Sequence, residues 1–160
     1  MTELIEKIVD RGHFKFIDHV DTWQEAVKLS TEPLVNTGYV SDDYYQQIVD
    51  CITKYGPYVV FEHGVAMPHT TENAHGVKKT AVSFMRVKDP VSFGFDEDGN
   101  EKTATLFFTL AAENPDEHMQ NVVNLCSIFT NEKLLDALQN CKTGEEILAA
   151  DKDNPAENVW

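Results

Sequence analysis

Four histidines carry most of the chemistry this sequence could do. His63, His69 and His75 fall at intervals of six through a stretch marked by Gly64, Pro68 and Gly76, and His118 stands further on. Imidazole titrates near pH 6.5, ligates metals when neutral, and can act as nucleophile or proton carrier. Zinc sites, however, use short characteristic spacings or complete the set with cysteine or carboxylate, and intervals of six do neither. His63 and His75 therefore read as solvated loop residues, and no metal site is expected. His69 has a different setting. Gly64-Val65-Ala66-Met67 is a short apolar run ending at Pro68, which has no amide to extend a ladder, so the chain must leave the sheet there. The next side chain then sits at a strand's end, where open α/β sheets place ligands. Residue types alone still favour a structural over a catalytic role for His69. His118 follows Asn114-Pro115-Asp116, a helix start whose amides and dipole attract anions. On this argument alone an ordinary exposed first-turn residue remains the stronger reading. Each of the two histidines lies beside the end of a predicted central strand, so they could face one another across the sheet's edge.

Other chemistry has less support. Asp96-Glu97-Asp98 lacks the ligand spacing of a calcium loop and reads as a solvated turn. There is no Walker loop, no G-x-G-x-x-G and no G-x-S-x-G. Cys51, Cys126 and Cys141 are odd in number and form no C-x-x-C pair, which argues against a disulfide framework and for a reducing compartment. All three are expected on helices, where burial is the default.

The elements that must position these residues follow from periodicity. Leu4, Ile5, Ile8 and Val9 predict a short helix closed by Gly12, and Phe14–Ile17 reads as extended. Thr22 caps a helix carrying Trp23, Ala26 and Val27, which Pro33 should end near Ser30. Ser41-Asp42-Asp43 opens a helix with Tyr44, Tyr45, Ile48, Val49 and Ile52 at helical spacing, stopped by Gly56-Pro57. Tyr58–Phe61 and Val65–Met67 are short β runs, and a polar loop spans 68–76. Residues 80–87 and 91–93 predict two strands, 96–100 a turn, and 103–112, the most apolar run, a buried central strand. The helix opened by Asn114 should bury a stripe of Met119, Val122, Val123, Cys126 and Phe129. Shorter helices are expected around Leu134, Leu135 and Leu138 and around Ile147 and Leu148, with residues 151–160 a polar, frayed tail. Helices at both ends and strands between them predict one α/β domain, a central mixed sheet flanked by helices on both faces.

At 160 residues the chain is one domain's worth. Its 13 basic and 27 acidic residues give a net charge of −14, which repels phosphate backbones and anionic lipid and favours basic protein partners. Nucleic-acid binding and membrane insertion are therefore not expected. The first residues carry acids where a signal peptide needs positive charge, and no apolar run approaches the ~20 residues that span a bilayer. A cytoplasmic domain is the expectation.

Gly64-Val65-Ala66-Met67-Pro68-His69 resembles the phosphorylation-site motif of the mannitol/fructose class of enzyme IIA proteins, components of the sugar phosphotransferase system. Trp23-Gln24-Glu25-Ala26, Gly38-Tyr39-Val40 with Tyr44 and Tyr45, and Tyr55-Gly56-Pro57-Tyr58-Val59-Val60 fall in the order of that class. Lys88-Asp89-Pro90-Val91-Ser92-Phe93-Gly94 and Leu110-Ala111-Ala112 followed by Glu117-His118 do so as well. The segments at 54–58 and 90–94 are most similar to the ascorbate-type branch. The likeness spans roughly residues 3–150, so residues 1–150 are expected to form the enzyme IIA-like domain.

The resemblance implies that His69 accepts a phosphoryl group from the carrier HPr, that His118 assists without carrying it, and that an enzyme IIB cysteine receives it for sugar entering through the membrane component IIC. No metal or organic cofactor is implied. A regulatory module on the same scaffold, in which phosphorylation of His69 switches a protein partner, is the alternative. Two departures stand out. Thr70-Thr71 replaces the usual Ala-Arg of ascorbate-type members, and the arginine that mannitol-type members carry before the motif is missing, leaving Lys54. Thr70 and Lys54 are thus the expected phosphate-binding side chains, with Lys78, Lys79 or Arg86 as other cations.

Overall fold

The most apolar run of the sequence becomes the middle of the sheet. In the computed structural model, which describes residues 2–70 and 75–155, β5 (Glu101–Ala111) pairs antiparallel with β4 (Ala81–Phe95) and parallel with β3 (Val65–Ala66). β1 (Phe14–Ile17) runs parallel to β4 on one side, and β2 (Val60–Phe61) antiparallel to β3 on the other, giving the order β1-β4-β5-β3-β2. Side chains alternate across such a sheet, so each strand feeds two cores. Met85 and Phe107 face one side, where α2 (Trp23–Asn36) and α3 (Tyr44–Tyr55) bring Val27, Leu34 and Ile48. Phe84, Leu106 and Phe108 face the other, covered by α1 (Glu3–Asp10), α4 (Pro115–Phe129), α5 (Glu132–Leu138) and α6 (Gly144–Asp153) through Ile5, Leu125, Leu135 and Ile147. The fold is the expected mixed sheet with helices on both faces.

Five local expectations change. Pro33 does not stop α2, which runs to Asn36. Pro33 has no amide for the preceding turn, but Leu34 is fully buried beneath the sheet, and the Thr37 hydroxyl donates back to the Pro33 carbonyl at 2.9 Å. Ser30 adds a buried polar tie. Its hydroxyl accepts from Thr109 (2.7 Å) and its carbonyl accepts from Ser83 (2.6 Å), fixing α2 on β4 and β5. Packing outweighs propensity here.

The predicted strands at 80–87 and 91–93 are one strand, β4. Its register shifts between Arg86 and Val91, and exposed Lys88, Asp89 and Pro90 bow out there while the Asp89 amide donates to the Asp18 carbonyl at 3.0 Å. In α4 the buried stripe is Leu125 and Ile128 flanked by Val122 and Phe129, whereas Met119, Val123 and Cys126 face outward. The helix has apolar residues on two overlapping stripes, and only the sheet decides between them. Cys126 is therefore exposed, and Cys141 is buried in the turn between α5 and α6 rather than on a helix.

The expected polar tail begins inside a helix. α6 extends to Asp153, and Asp151 is 2% exposed, its carboxylate accepting from the amide (2.7 Å) and hydroxyl (2.8 Å) of Thr2. These bonds cap the start of α1 with the end of α6. Replacing Asp151 with alanine removes both bonds and should lower unfolding stability by about 1–3 kcal/mol in urea titrations. An unchanged midpoint would mean that the two ends are not coupled.

Candidate functional site

β3 is short because it is clamped and then broken. The Met67 amide donates to the Val59 carbonyl (2.8 Å), the Leu110 amide donates to the Pro68 carbonyl (3.0 Å), and Pro68 ends the ladder. His69 leaves the sheet at that point. Its Nδ1 lies 2.6 Å from the Met67 carbonyl oxygen, and its own carbonyl accepts from the Tyr58 hydroxyl at 2.6 Å. The Tyr58 ring also stands edge-on to the imidazole, with centroids 5.2 Å apart. Backbone, hydroxyl and ring together hold His69 in one place.

The Met67 oxygen can only accept, so Nδ1 carries the proton, and in the neutral ring the lone pair sits on Nε2. The ring is kept neutral. Burial pushes the His69 pKa below its ordinary 6.5, the Met67 bond opposes this, and nearby His118 disfavours added charge. His118 faces His69 with ring centroids 5.7 Å apart. The structure thus brings together the two histidines singled out from the sequence, at the end of the sheet where Ala81 lies opposite Ala111.

The start of α4 is less anion-friendly than expected. Asn114 is the N-cap and accepts from the Glu117 amide at 2.9 Å, while the His118 amide donates to the Asn114 carbonyl at 3.1 Å. Pro115 carries no amide, and Asp116 and Glu117 add negative charge. The imidazole of His118, rather than its helix amides, is what this helix offers.

Thr70 follows His69, and its hydroxyl bonds to that of Tyr44. The Tyr44 hydroxyl in turn donates to the Leu110 carbonyl at 2.8 Å. Burial pushes the Tyr44 and Tyr58 phenols up, so both remain protonated donors at neutral pH. Lys54 lies on the last turn of α3 with its ammonium 5.0 Å from the Tyr55 ring centre, and Lys79 covers Tyr39 at 5.2 Å. Arg86 sits well along β4, opposite Leu106 and over Phe16, away from the histidine pair. Thr71, part of the second departure in the motif, lies outside the described residues. His63 pairs with Glu132 (3.0 Å), and the backbone of His75 is bonded by Gln47, so the histidines spaced by six do not converge.

Sequence reasoning missed Tyr58 as part of the site. Its signal was register: β2 and β3 pair Val60 with Ala66, which sets Tyr58 opposite Pro68 and beside His69. The assembled site offers a desolvated neutral imidazole with an unprotonated Nε2, a second imidazole and flanking hydroxyls. Such a set can accept a small electrophilic group and hydrogen-bond its oxygens.

Comparison with known proteins gives a consistent answer. Residues 7–152 match the family model described as phosphoenolpyruvate-dependent sugar phosphotransferase system, EIIA 2. The ascorbate-specific PTS system EIIA component of Escherichia coli (strain K12) is 32% identical over 156 residues, covering 96% of this chain and 99% of that protein. The mannitol-specific cryptic phosphotransferase enzyme IIA of Escherichia coli superposes with a TM-score of 0.78 at 26% identity, covering 92% of this chain and 97% of that one. The mannitol enzyme IIA of Escherichia coli, solved in complex with phosphorylated enzyme IIB, gives 0.71 at 30% identity, covering 87% and 94%.

The geometry has a consequence for titration. In an NMR pH titration His69 should protonate with a midpoint below 6.5, and its Nδ1–H should persist in the neutral form. Because the unfolded chain takes up that proton near 6.5 and the folded chain only later, stability should fall as pH drops below 6.5. A midpoint at or above 6.5 would contradict a desolvated, neutral ring.

Proposed function

This chain belongs to the EIIA 2 family of the phosphoenolpyruvate-dependent sugar phosphotransferase system, and on that premise we propose that it is a histidine phosphocarrier whose acceptor is Nε2 of His69. The observation that carries this reading is the bond from His69 Nδ1 to the Met67 carbonyl, which leaves the Nε2 lone pair as the ring's nucleophile. In the proposed step that lone pair attacks phosphorus on the phosphohistidine of HPr. A new N–P bond forms, and the donor N–P bond breaks with its electron pair returning to the donor imidazole. The transition state for such a transfer is loose, so the protein's work is alignment and stabilisation of the equatorial oxygens. An N–H of His118 is the proposed donor to those oxygens, with Thr70 and Lys54 as further phosphate contacts. No metal or organic cofactor has a role in this scheme.

The second half-reaction is proposed by analogy with the mannitol enzyme IIA solved with phosphorylated enzyme IIB. Here an enzyme IIB would receive the phosphoryl group on a cysteine and serve an ascorbate-like sugar through a membrane IIC component. The helix that carries His118 also exposes Met119 (59%) and Val123 (57%), an apolar stripe beside the site suited to both partners in turn. These steps place the working protein in the cytoplasm, where HPr and phosphoenolpyruvate are found.

Incubation with phosphoenolpyruvate, enzyme I and HPr should label His69 alone, with a bond that is lost in acid and survives base. His69→Ala should abolish labelling, and label on His118 would reverse the assigned roles. His118→Ala should still accept on His69 but about 100–1,000-fold more slowly, as for loss of one oxyanion donor. Glutamine at 118 should recover part of that loss. Met119→Asp should slow transfer from HPr without moving the His69 titration, whereas an unchanged rate would remove the stripe from the docking surface.

A further inference from the structure

His69 stands between two peptide planes, and each is held by a hydrogen bond. The plane before it carries the Pro68 carbonyl, which accepts from the Leu110 amide at 3.0 Å. The plane after it carries the His69 carbonyl, which accepts from the Tyr58 hydroxyl at 2.6 Å. Two soft dihedrals link the planes, so holding both planes sets φ and ψ of His69 and with them the direction of its Cβ. Only the two side-chain torsions remain. The Nδ1 bond to the Met67 carbonyl (2.6 Å) and the edge-on Tyr58 ring, 5.2 Å between centroids, share that freedom between them. Tyr58 therefore acts twice on one residue, through its hydroxyl on the backbone and through its ring on the imidazole. Thr70 is also tied, to the Tyr44 hydroxyl, but through a side chain with a rotor of its own and one residue further on.

The mount that carries Tyr58 is stiff. Gly56 adopts φ +90°, which glycine tolerates, Pro57 locks its own φ, and the Tyr58 amide closes the turn on the Gly56 carbonyl at 2.8 Å. The next residue, Val59, is fully buried, and its carbonyl accepts from the Met67 amide at 2.8 Å. The turn is thus fastened to the residue whose own carbonyl selects the His69 tautomer. Burial keeps the Tyr58 phenol protonated, and that one proton goes to the His69 carbonyl. Without the hydroxyl, His69 gains rotation about φ, which swings its Cβ away from Met67 and loosens the bond that keeps Nε2 unprotonated.

We propose that Tyr58 is a positioning residue for phosphoryl transfer: its hydroxyl, spent on the His69 carbonyl, aims the Nε2 lone pair at the incoming phosphorus. The effect on rate rests on the phosphocarrier reading, whereas the effect on the ring does not. Alignment is most of what a protein contributes to a loose transfer, and misplacing the acceptor by about 1 Å costs about 100-fold.

The test compares Tyr58→Phe, which keeps the ring and removes one oxygen, with the unaltered protein under conditions where urea unfolding shows both to be folded. In long-range ¹H–¹⁵N spectra of the neutral imidazole, the unaltered protein should show His69 in the Nδ1–H form, and Tyr58→Phe should gain a share of the Nε2–H form. In single-turnover transfer from phosphorylated HPr, the maximal rate should fall about 10- to 100-fold. The half-saturating HPr concentration should not move, because docking is untouched. Absence of label from the unaltered protein would remove the phosphocarrier reading, and the ring spectrum would then judge Tyr58 by itself. The proposal is overturned by a wild-type maximal rate in Tyr58→Phe, by a loss confined to the half-saturating concentration, or by a His69 ring spectrum identical in the two proteins.

Discussion

A carbonyl oxygen can only accept a hydrogen bond, and that of Met67 lies 2.6 Å from Nδ1 of His69, so the tautomer of the proposed phosphoryl acceptor is decided by backbone geometry. The oxygen is available because β3 stops where it does. The amide of Met67 is committed to Val59, and Pro68 has no amide of its own but gives its carbonyl to Leu110. One residue more of regular ladder would turn the Met67 carbonyl to a neighbouring strand and leave the imidazole free to rotate. The two β-strand residues, the proline and the histidine therefore act as one device, and the tyrosines brace it from α3 and from the turn before β2.

Much of this was legible in the sequence, and the reason is local. A proline closing a short apolar run reports a strand's end whatever packs on it, and an Asn-Pro-Asp start reports a helix N-terminus with the same independence. The features that were not legible depend on what lies across the sheet. Pro33 looks like a stop until Leu34 is buried beneath β4 and β5. Met119, Val123 and Cys126 look like a core stripe until Leu125 and Ile128 take that place. The gap at 88–90 looks like a loop between strands until its bulge is seen to keep Val91 paired with Ala104. Tyr58 is an ordinary aromatic until the register sets it opposite Pro68. In each case the local pattern admits two outcomes, and only packing or pairing across the sheet decides between them.

The electrostatics of the site bear on how a phosphoryl group would be held there. The chain is strongly acidic, and the described surroundings of the histidine pair include phenols, hydroxyls and the carboxylates of Asp116 and Glu117. Neutral donors can hold a phosphoryl group without trapping it. A phosphate-binding site dense in arginine that stabilised the phosphorylated ground state as much as the transition state would do nothing to speed onward transfer. Departure from the arginine of related motifs is therefore compatible with turnover, provided that the incoming partner brings the missing positive charge. An acidic carrier meeting a basic patch gains both steering and transient neutralisation.

The helix α4 is where these requirements meet, because its three exposed aspects answer to different neighbours. Its first turn holds His118 against His69, its outward stripe of Met119 and Val123 is apolar, and its α1-facing side is a run of amides. Only Leu125 and Ile128 are fully buried along its length, so it is seated on the sheet by a narrow band. The bond from the Thr80 hydroxyl to Glu117 pins its N-terminal end to the residue that precedes β4, one residue from His118. The first turn of this helix also sets the 5.7 Å separation of the two rings. The narrow seat thus leaves one helix free to present an imidazole from its first turn and an apolar stripe on its outer face.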